Sequence, residues 1–291
     1  MQRTPLLIGL GFALALCLTH SNTATAQEQT PGFDEILDKC IAAMKGVKDY
    51  TAIMHKQERF VDELGPKEKM FVKFSRPFKV YIKFLTVHTG REALYVRGWN
   101  DGEVRVHKGS FPDITVNLDP QGDMAMEGNH HPILHFGLEM TMVVAKKQID
   151  KAKKRGEGDF KIEDGGKVDG KPTWKIVASF PRGGYNTTAK DDETLWDISK
   201  RTGQDMYVIM YANKKEYDEP DDPDEGDKVF IPRYYAPKSE FWLDRKTLMP
   251  LKVVTLGWDG KMYESFEYHD LKINPGLTAN DFNPDNKKYD F

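Results

Sequence analysis

Between Glu68 and Leu85 the apolar residues recur at every second position, and that spacing commits this part of the chain to strands. Met70, Val72 and Phe74 alternate with Phe71, Lys73 and Ser75, and Val80, Ile82 and Phe84 alternate with Tyr81 and Lys83. A period of two buries one face of a strand and leaves the other wetter. Ala93–Trp99 and Glu103–His107 form the next pair, joined by Asn100-Asp101-Gly102, a turn sequence that tolerates positive φ. The pattern resumes at Thr173–Phe180, where Trp174, Ile176, Ala178 and Phe180 share a face. It continues through Ser239–Leu243, Pro250–Trp258 and Lys261–Tyr268.

Helices are few. Phe33–Val47 is amphipathic, with Ile36, Leu37, Cys40, Ile41 and Met44 on its apolar side, so Cys40 is expected as a buried structural thiol. Pro132–Lys154 is expected to hold one or two helices, and the tail Asp270–Phe291 to run irregularly along the sheet edge. A long antiparallel sheet cannot bury a face alone and must curl around helices or meet a second sheet. The expected fold class is therefore α+β, a curved antiparallel half-barrel with a helical lid. Its concave face would be apolar and aromatic, which describes a pocket as well as a core.

The chain ends and composition narrow the function. Residues 1–26 read as a secretory signal peptide, with Arg3 before the apolar run Leu6–Leu18 and Ala24-Thr25-Ala26 as the cleavage pattern. The mature chain would start at Gln27, exported to the periplasm or cell envelope. Cys17 lies in the apolar run after Leu16, too large a residue for a lipoprotein signal. Of the two cysteines only Cys40 remains after cleavage, so no internal disulfide is available. The net charge of −3 becomes −4 when Arg3 is lost, which gives no electrostatic reason to bind nucleic acid. No later segment is long and apolar enough to span a bilayer as a helix.

Two resemblances sharpen these expectations. The run K-M-F-V-K-F-S-R-P-F-K-V-Y-I-K-F, then R-E-A-L-Y-V-R-G-W-N-D-G-E-V-R-V-H, resembles the LolA/LolB lipoprotein-carrier superfamily. The closing F-E-Y-H-D-L-K-I-N-P-G-L-T-A-N-D-F is similar to that superfamily's last strand and tail, and the likeness is closer still to exported bacterial proteins of this fold. It covers roughly Phe33–Phe180 and Ser239–Phe291. It implies an acyl-chain cavity under a helical lid, with Met70, Phe71, Phe74, Ile82, Phe84 and Tyr95 as wall residues. Plain core is the competing role for all six. Arg76 stands where the arginine of the R-P strand end would stand, and no lipid-release role is assigned to it.

The second resemblance lies in the interruption between Phe180 and Ser239. Here K-D-D-E-T-L-W-D-I-S-K-R-T-G, Y-A-N and G-D-K-V-F-I-P resemble a LysM module, a βααβ unit that binds N-acetylglucosamine glycan. Read from the residues, Asn186–Lys190 is a strand. Asp191 or Asp192 caps a helix carrying Leu195, Trp196 and Ile198 inward until Gly203, and Asp205–Ala212 is a second helix. Lys228–Ile231 closes the unit. So small a module must draw its core from Trp196, Ile198, Ile209 and Phe230. Pro181-Arg182-Gly183-Gly184 and Tyr234-Tyr235-Ala236-Pro237 read as linkers. This gives a discontinuous main domain, 27–182 and 237–291, and an insert, 183–236. The resemblance implies a glycan groove between Asp192, Glu193, Thr194 and Leu195 on one side and Tyr211, Ala212 and Asn213 on the other. The usual G-D-T-L-W is here D-E-T-L-W, so Asp192 replaces a glycine.

Other constellations carry less. His131 and His135 would share a helical face beside His130, a spacing that can bind metal. There is no H-E-x-x-H, and a solvated cluster at a helix start is the expectation, with no metal and no cofactor. The acidic loop Asp218–Asp227 lacks a calcium-hand pattern. No nucleophile elbow, P-loop or dinucleotide fingerprint occurs. Ser110 and Ser265 have no spacing that makes a triad, and Glu264 and Glu267 fall on opposite faces of one strand. The expected function is a non-catalytic envelope protein that holds an apolar or acyl ligand, lipid or lipoprotein, and binds peptidoglycan through its insert, in the service of outer-membrane biogenesis. The rivals are a structural interaction module with a filled core and a wall-modifying enzyme.

Overall fold

The computed structural model describes residues 30–60, 63–213 and 223–291; the expected signal peptide and half of the Asp218–Asp227 loop lie outside them. In chain order the elements are α1 (Phe33–Lys45), β1 (Asp49–Phe60), β2 (Glu63–Leu64), β3 (Glu68–Ser75), β4 (Lys79–Phe84), β5 (Glu92–Val96), β6 (Val104–His107) and β7 (Thr115–Leu118). There follow α2 (Asp123–Met126), α3 (Leu138–Lys154), β8 (Asp159–Val168), β9 (Lys171–Ser179), β10 (Gly184–Thr188), α4 (Leu195–Thr202) and α5 (Met206–Ala212). The chain closes with β11 (Lys228–Pro232), β12 (Lys238–Asp244), β13 (Pro250–Leu256) and β14 (Met262–Ile273).

The architecture is α+β, built on one large antiparallel sheet with few helices. Its spatial order is β7-β6-β5-β4-β3-β1-β14-β13-β12-β9-β8, with β2 attached to β1. Edge strands β7 and β8 do not pair, so the sheet is open. Leu118 of β7 and Ile162 of β8 nevertheless join one apolar cluster with α1 and α3, so the sheet curls around these two helices. The helices present the matching stripes. Ile36, Leu37, Cys40 and Met44 are buried on α1, and Leu138, Met142, Ala145, Ile149 and Ala152 on α3. Burial pushes the Cys40 thiol up to about 12, which keeps it protonated and inert.

The central strand β1 went unrecognised in the sequence. Its inward positions are Tyr50, Ala52, Met54, Lys56 and Glu58, all buried, and two charges in that series break the apolar alternation. The edge strands β7 and β8 were missed as well, being short or interrupted by Gly165-Gly166.

The tail also departs from expectation. β14 runs on to Ile273, and the segment beyond it covers the outer face of the sheet rather than its edge. Tyr289 stacks on Tyr81 with ring centroids 4.0 Å apart, and Phe282 is buried beside Tyr81 and Leu94. Lys73 fastens the tail through Asp281 at 2.8 Å and the Tyr289 hydroxyl at 2.9 Å. The outer positions of β3–β5 include Phe71, Tyr81, Leu94 and Val96, so a second layer is needed there to exclude water.

The interruption after Phe180 sits at the tip of the β9–β12 hairpin, where Ser179 pairs with Lys238. Its own strands β10 and β11 pair antiparallel from Gly184–Pro232 to Thr188–Lys228, with α4 and α5 between them. Thr194, rather than Asp191 or Asp192, caps α4. Its hydroxyl accepts from the Asp197 amide, and the Asp197 carboxylate accepts from the Thr194 amide in return. Gly203 ends the helix at φ 68°.

The segments read as linkers are fixed to the main sheet. Tyr234 is fully buried, stacks on Phe180 at 4.9 Å and donates to Glu157 at 2.6 Å. Met126 of α2 lies within the apolar cluster of the insert, so the two parts share a packed boundary.

Candidate functional site

The concave face of the sheet, α3 and the insert enclose a cavity of about 860 Å³. Its floor is made of inward positions on neighbouring strands: Met70 on β3, Ile82 and Phe84 on β4, Ala93 on β5 and Val106 on β6. Register places them side by side, since Ala93 pairs with Ile82 and with Val106. Met140, Val144 and Ile149 of α3 form the opposite wall. Apolar side chains of the lining also reach the surface, where Met124 is 70% exposed and Ile114 45% exposed.

Part of the cavity lining is polar. There β1 contributes Lys56 and Glu58, β14 contributes Glu264, the α2–α3 connection contributes His131, and the insert contributes Asp205. The Lys56 ammonium lies 3.1 Å from Glu58 and 2.9 Å from Glu68, and donates to Asn129 at 2.6 Å. Burial alone would lower the Lys56 pKa, but the two glutamates raise it above its usual value. Glu264 accepts from Tyr235 at 2.9 Å and lies 3.0 Å from His131 Nε2. Burial opposes charge on His131, yet Glu264, with Asp205 and Glu58 further off, raises its pKa to about 9. Glu264 in turn is held well below the usual carboxylate range chiefly by His131, against its own burial. The cavity thus joins an apolar floor to a cluster of charged groups.

The wall residues expected from sequence separate into three groups. Met70, Ile82 and Phe84 line the cavity. Phe74 and Tyr95 sit on the same face but are packed into the core, Phe74 stacking on Tyr50 at 5.1 Å. Phe71 is on the other face, against the tail, because one residue along a strand reverses the side chain.

The expected glycan groove is partly used by the fold. Leu195 and Asn213 are buried. The Asn213 amide donates to the Ile209 and Phe230 carbonyls and accepts from the Phe230 amide. Glu193 is bound by Arg201 at 2.7 Å, and Thr194 is committed to its cap. Tyr211 packs edge-on to Tyr263 of β14 at 5.0 Å. Asp192 is exposed, Ala212 is half-buried, and Asp192 holds φ 53°, the left-handed region that a glycine there would also occupy. Trp196 is half-buried and contributes to the cavity wall.

The histidine run does not form the His131–His135 pair that helical spacing offers. Residues 133–135 make a single tight turn, and His135 faces the cavity while His131 turns to Glu264. Sequence reasoning missed Lys56 and Glu58 altogether. The available signal was the continuation of the period-two series from Tyr50, Ala52 and Met54.

A protein-family model described as "Protein of unknown function (DUF1571)" matches residues 47–230 and 231–291. No curated protein matches the chain in sequence. Among solved structures, the chain is similar to one in the MucA/MucB complex of Pseudomonas aeruginosa, at 11% identity and a TM-score of 0.42. That match covers 86% of this chain and 59% of the other, so the chain spans little more than half its length. The lipoprotein LppX of Mycobacterium tuberculosis matches at 10% identity and a TM-score of 0.40, over 85% of this chain and 99% of LppX. A LolA superfamily protein from Nitrosomonas europaea matches at 9% identity and a TM-score of 0.30, over 87% and 98%.

Proposed function

The chain belongs to the DUF1571 family, whose description assigns no activity, and from its geometry we propose a non-catalytic, exported envelope protein that carries an apolar or acyl ligand. The cavity carries this reading. At about 860 Å³ it lies inside the ~300–1,000 Å³ range of small-molecule sites, and its long walls are aliphatic. Met124, Ile114 and Met140 of the cavity lining are exposed, which offers a hydrocarbon chain apolar contact at the cavity surface. The charged cluster suits the headgroup of a lipid or lipoprotein, because a buried polar group of the ligand finds partners there.

In this proposal the βααβ insert is the wall-binding arm. Its supports are the LysM-like sequence of α4 and the exposed loop at Asp192. A tether to peptidoglycan would raise the carrier's concentration near its membrane partners. The two halves are tested separately. For the cavity, the purified chain is titrated with cis-parinaric acid and the probe is then displaced with palmitate. Saturable binding with displacement is expected, and the absence of both overturns the carrier reading in favour of a filled interaction module. For the insert, the chain is sedimented with insoluble peptidoglycan beside a variant in which residues 184–234 are replaced by a short linker. Pelleting of the full chain alone is expected, and equal behaviour of the two removes the tether.

A further inference from the structure

We infer that Glu58, His130 and Glu264 form a binding site for one divalent first-row transition-metal ion. Their potential ligand atoms all lie within 4.8 Å of one another, and all three residues are buried. The two glutamates are direct cross-strand partners, Glu58 of β1 opposite Glu264 of β14. Like charges directly opposite in a sheet repel, and burial removes the water that would screen them.

His130 supplies the second, independent observation. It is 1% exposed, and its Nε2 lies 2.9 Å from the Arg59 carbonyl, which can only accept. Nε2 therefore carries the hydrogen, and Nδ1 is directed toward Glu264, 3.7 Å away, with no hydrogen-bond partner. A metal-ligating histidine has this arrangement, one ring nitrogen donating to a backbone carbonyl and the other left to bind the ion. Without a cation, a buried imidazole lone pair would face two carboxylates.

The neighbouring groups leave room for such an ion. Four acidic side chains, Glu58, Glu68, Glu264 and Asp205, are set against Lys56, His130 and His131. Lys56 and the His130 amide reach Glu58 through Oε2, and His131 and Tyr235 reach Glu264 through Oε2. One carboxylate oxygen of each glutamate is then the ligand, and these contacts hold the carboxylates in place, as outer hydrogen bonds do in metal sites. Glu58 and Glu264 also line the cavity, so solvent or a ligand headgroup can complete the coordination from that side. One nitrogen and two oxygens suit zinc, manganese or iron, whereas magnesium and calcium favour oxygen alone.

The chain is stripped with a chelator and titrated calorimetrically with Zn²⁺ and Mn²⁺, with Mg²⁺ and Ca²⁺ as controls. One equivalent of Zn²⁺ is expected, with no comparable calcium binding. His130→Ala and Glu264→Gln should each weaken Zn²⁺ on the order of 100-fold. His55→Ala, which alters the separate His55–His269 ring pair, should leave the affinity unchanged. If the variants fail to fold, nitrogen hyperfine coupling from one imidazole on Mn²⁺ bound to the unmodified chain replaces them. Lack of saturable transition-metal binding, a folded His130→Ala that binds as tightly as the parent, or bound Mn²⁺ without imidazole coupling overturns the site. None of these readouts depends on acyl binding, so failure of the carrier reading would be seen separately.

Discussion

Replacing Ala93 by phenylalanine places a ring on the cavity floor and distinguishes an open trough from a packed core. Ala93 lies between Ile82 and Val106 in register, and its side chain points to the concave face. A phenyl group there would displace on the order of four methylenes of a bound acyl chain. At ~0.8 kcal/mol per methylene the loss is ~3 kcal/mol, or about a 100-fold weaker Kd. Stability should change by less than ~1 kcal/mol, because the ring enters open volume, whereas overpacking a filled core costs ~1–3 kcal/mol. The assay pairs cis-parinaric acid titration with urea unfolding of the same preparation. Unchanged affinity together with a loss of ~2 kcal/mol or more in stability would refute the trough, since it would mean that side chains already fill the space.

Three further outcomes follow from the fold. Phe282→Ala should cost ~3 kcal/mol in urea unfolding, because the ring is buried on the outer face beside Tyr81 and Leu94; a loss below ~1 kcal/mol would mean that the tail does not seal that face. Burial opposes the Asp281 charge, but the Lys73 ammonium and Thr278 hold its carboxyl below the usual value. A group with a lowered folded pKa adds stability above its unfolded pKa, so this contribution is complete above about pH 5 and is lost as pH falls through the folded value. Unfolding of the parent and of Lys73→Met between about pH 5 and 2 should show a shallower acid loss in the variant, and parallel curves would contradict the pairing. Asp192 holds φ 53° in an exposed loop, so Asp192→Gly should not destabilise the chain while Asp192→Val costs ~1–2 kcal/mol; equal effects would place the backbone elsewhere.

Much of the fold is legible in short stretches of sequence. Period-two spacing locates β3, β4, β9 and β12–β14, and the 3.6-residue period locates α1 and α3, because each pattern records which side of a local element meets the core. The interruption after Phe180 is legible too, since a capped, amphipathic α4 does not belong to a run of strands. The site is far less legible. β1 hides because its inward series ends in Lys56 and Glu58, residues that look like solvent positions until their partners are known. The cavity wall is divided among residues of the same type, and only packing separates Met70 and Ile82, which face open space, from Phe74 and Tyr95, which fill the core.

Local sequence encodes the periodicity of the strands, the helical stripes and the place of the insertion, since these are set by neighbours within a few residues. Tertiary structure alone decided that Glu58 stands opposite Glu264, that His130 turns its free nitrogen toward them, and that the tail covers the outer face. The register of β1 against β14 joins segments from opposite ends of the chain, and nothing local to either segment encodes it. Buried charges are stable only where a distant partner is brought within a few ångströms, so their pairing becomes visible only when the strands have paired.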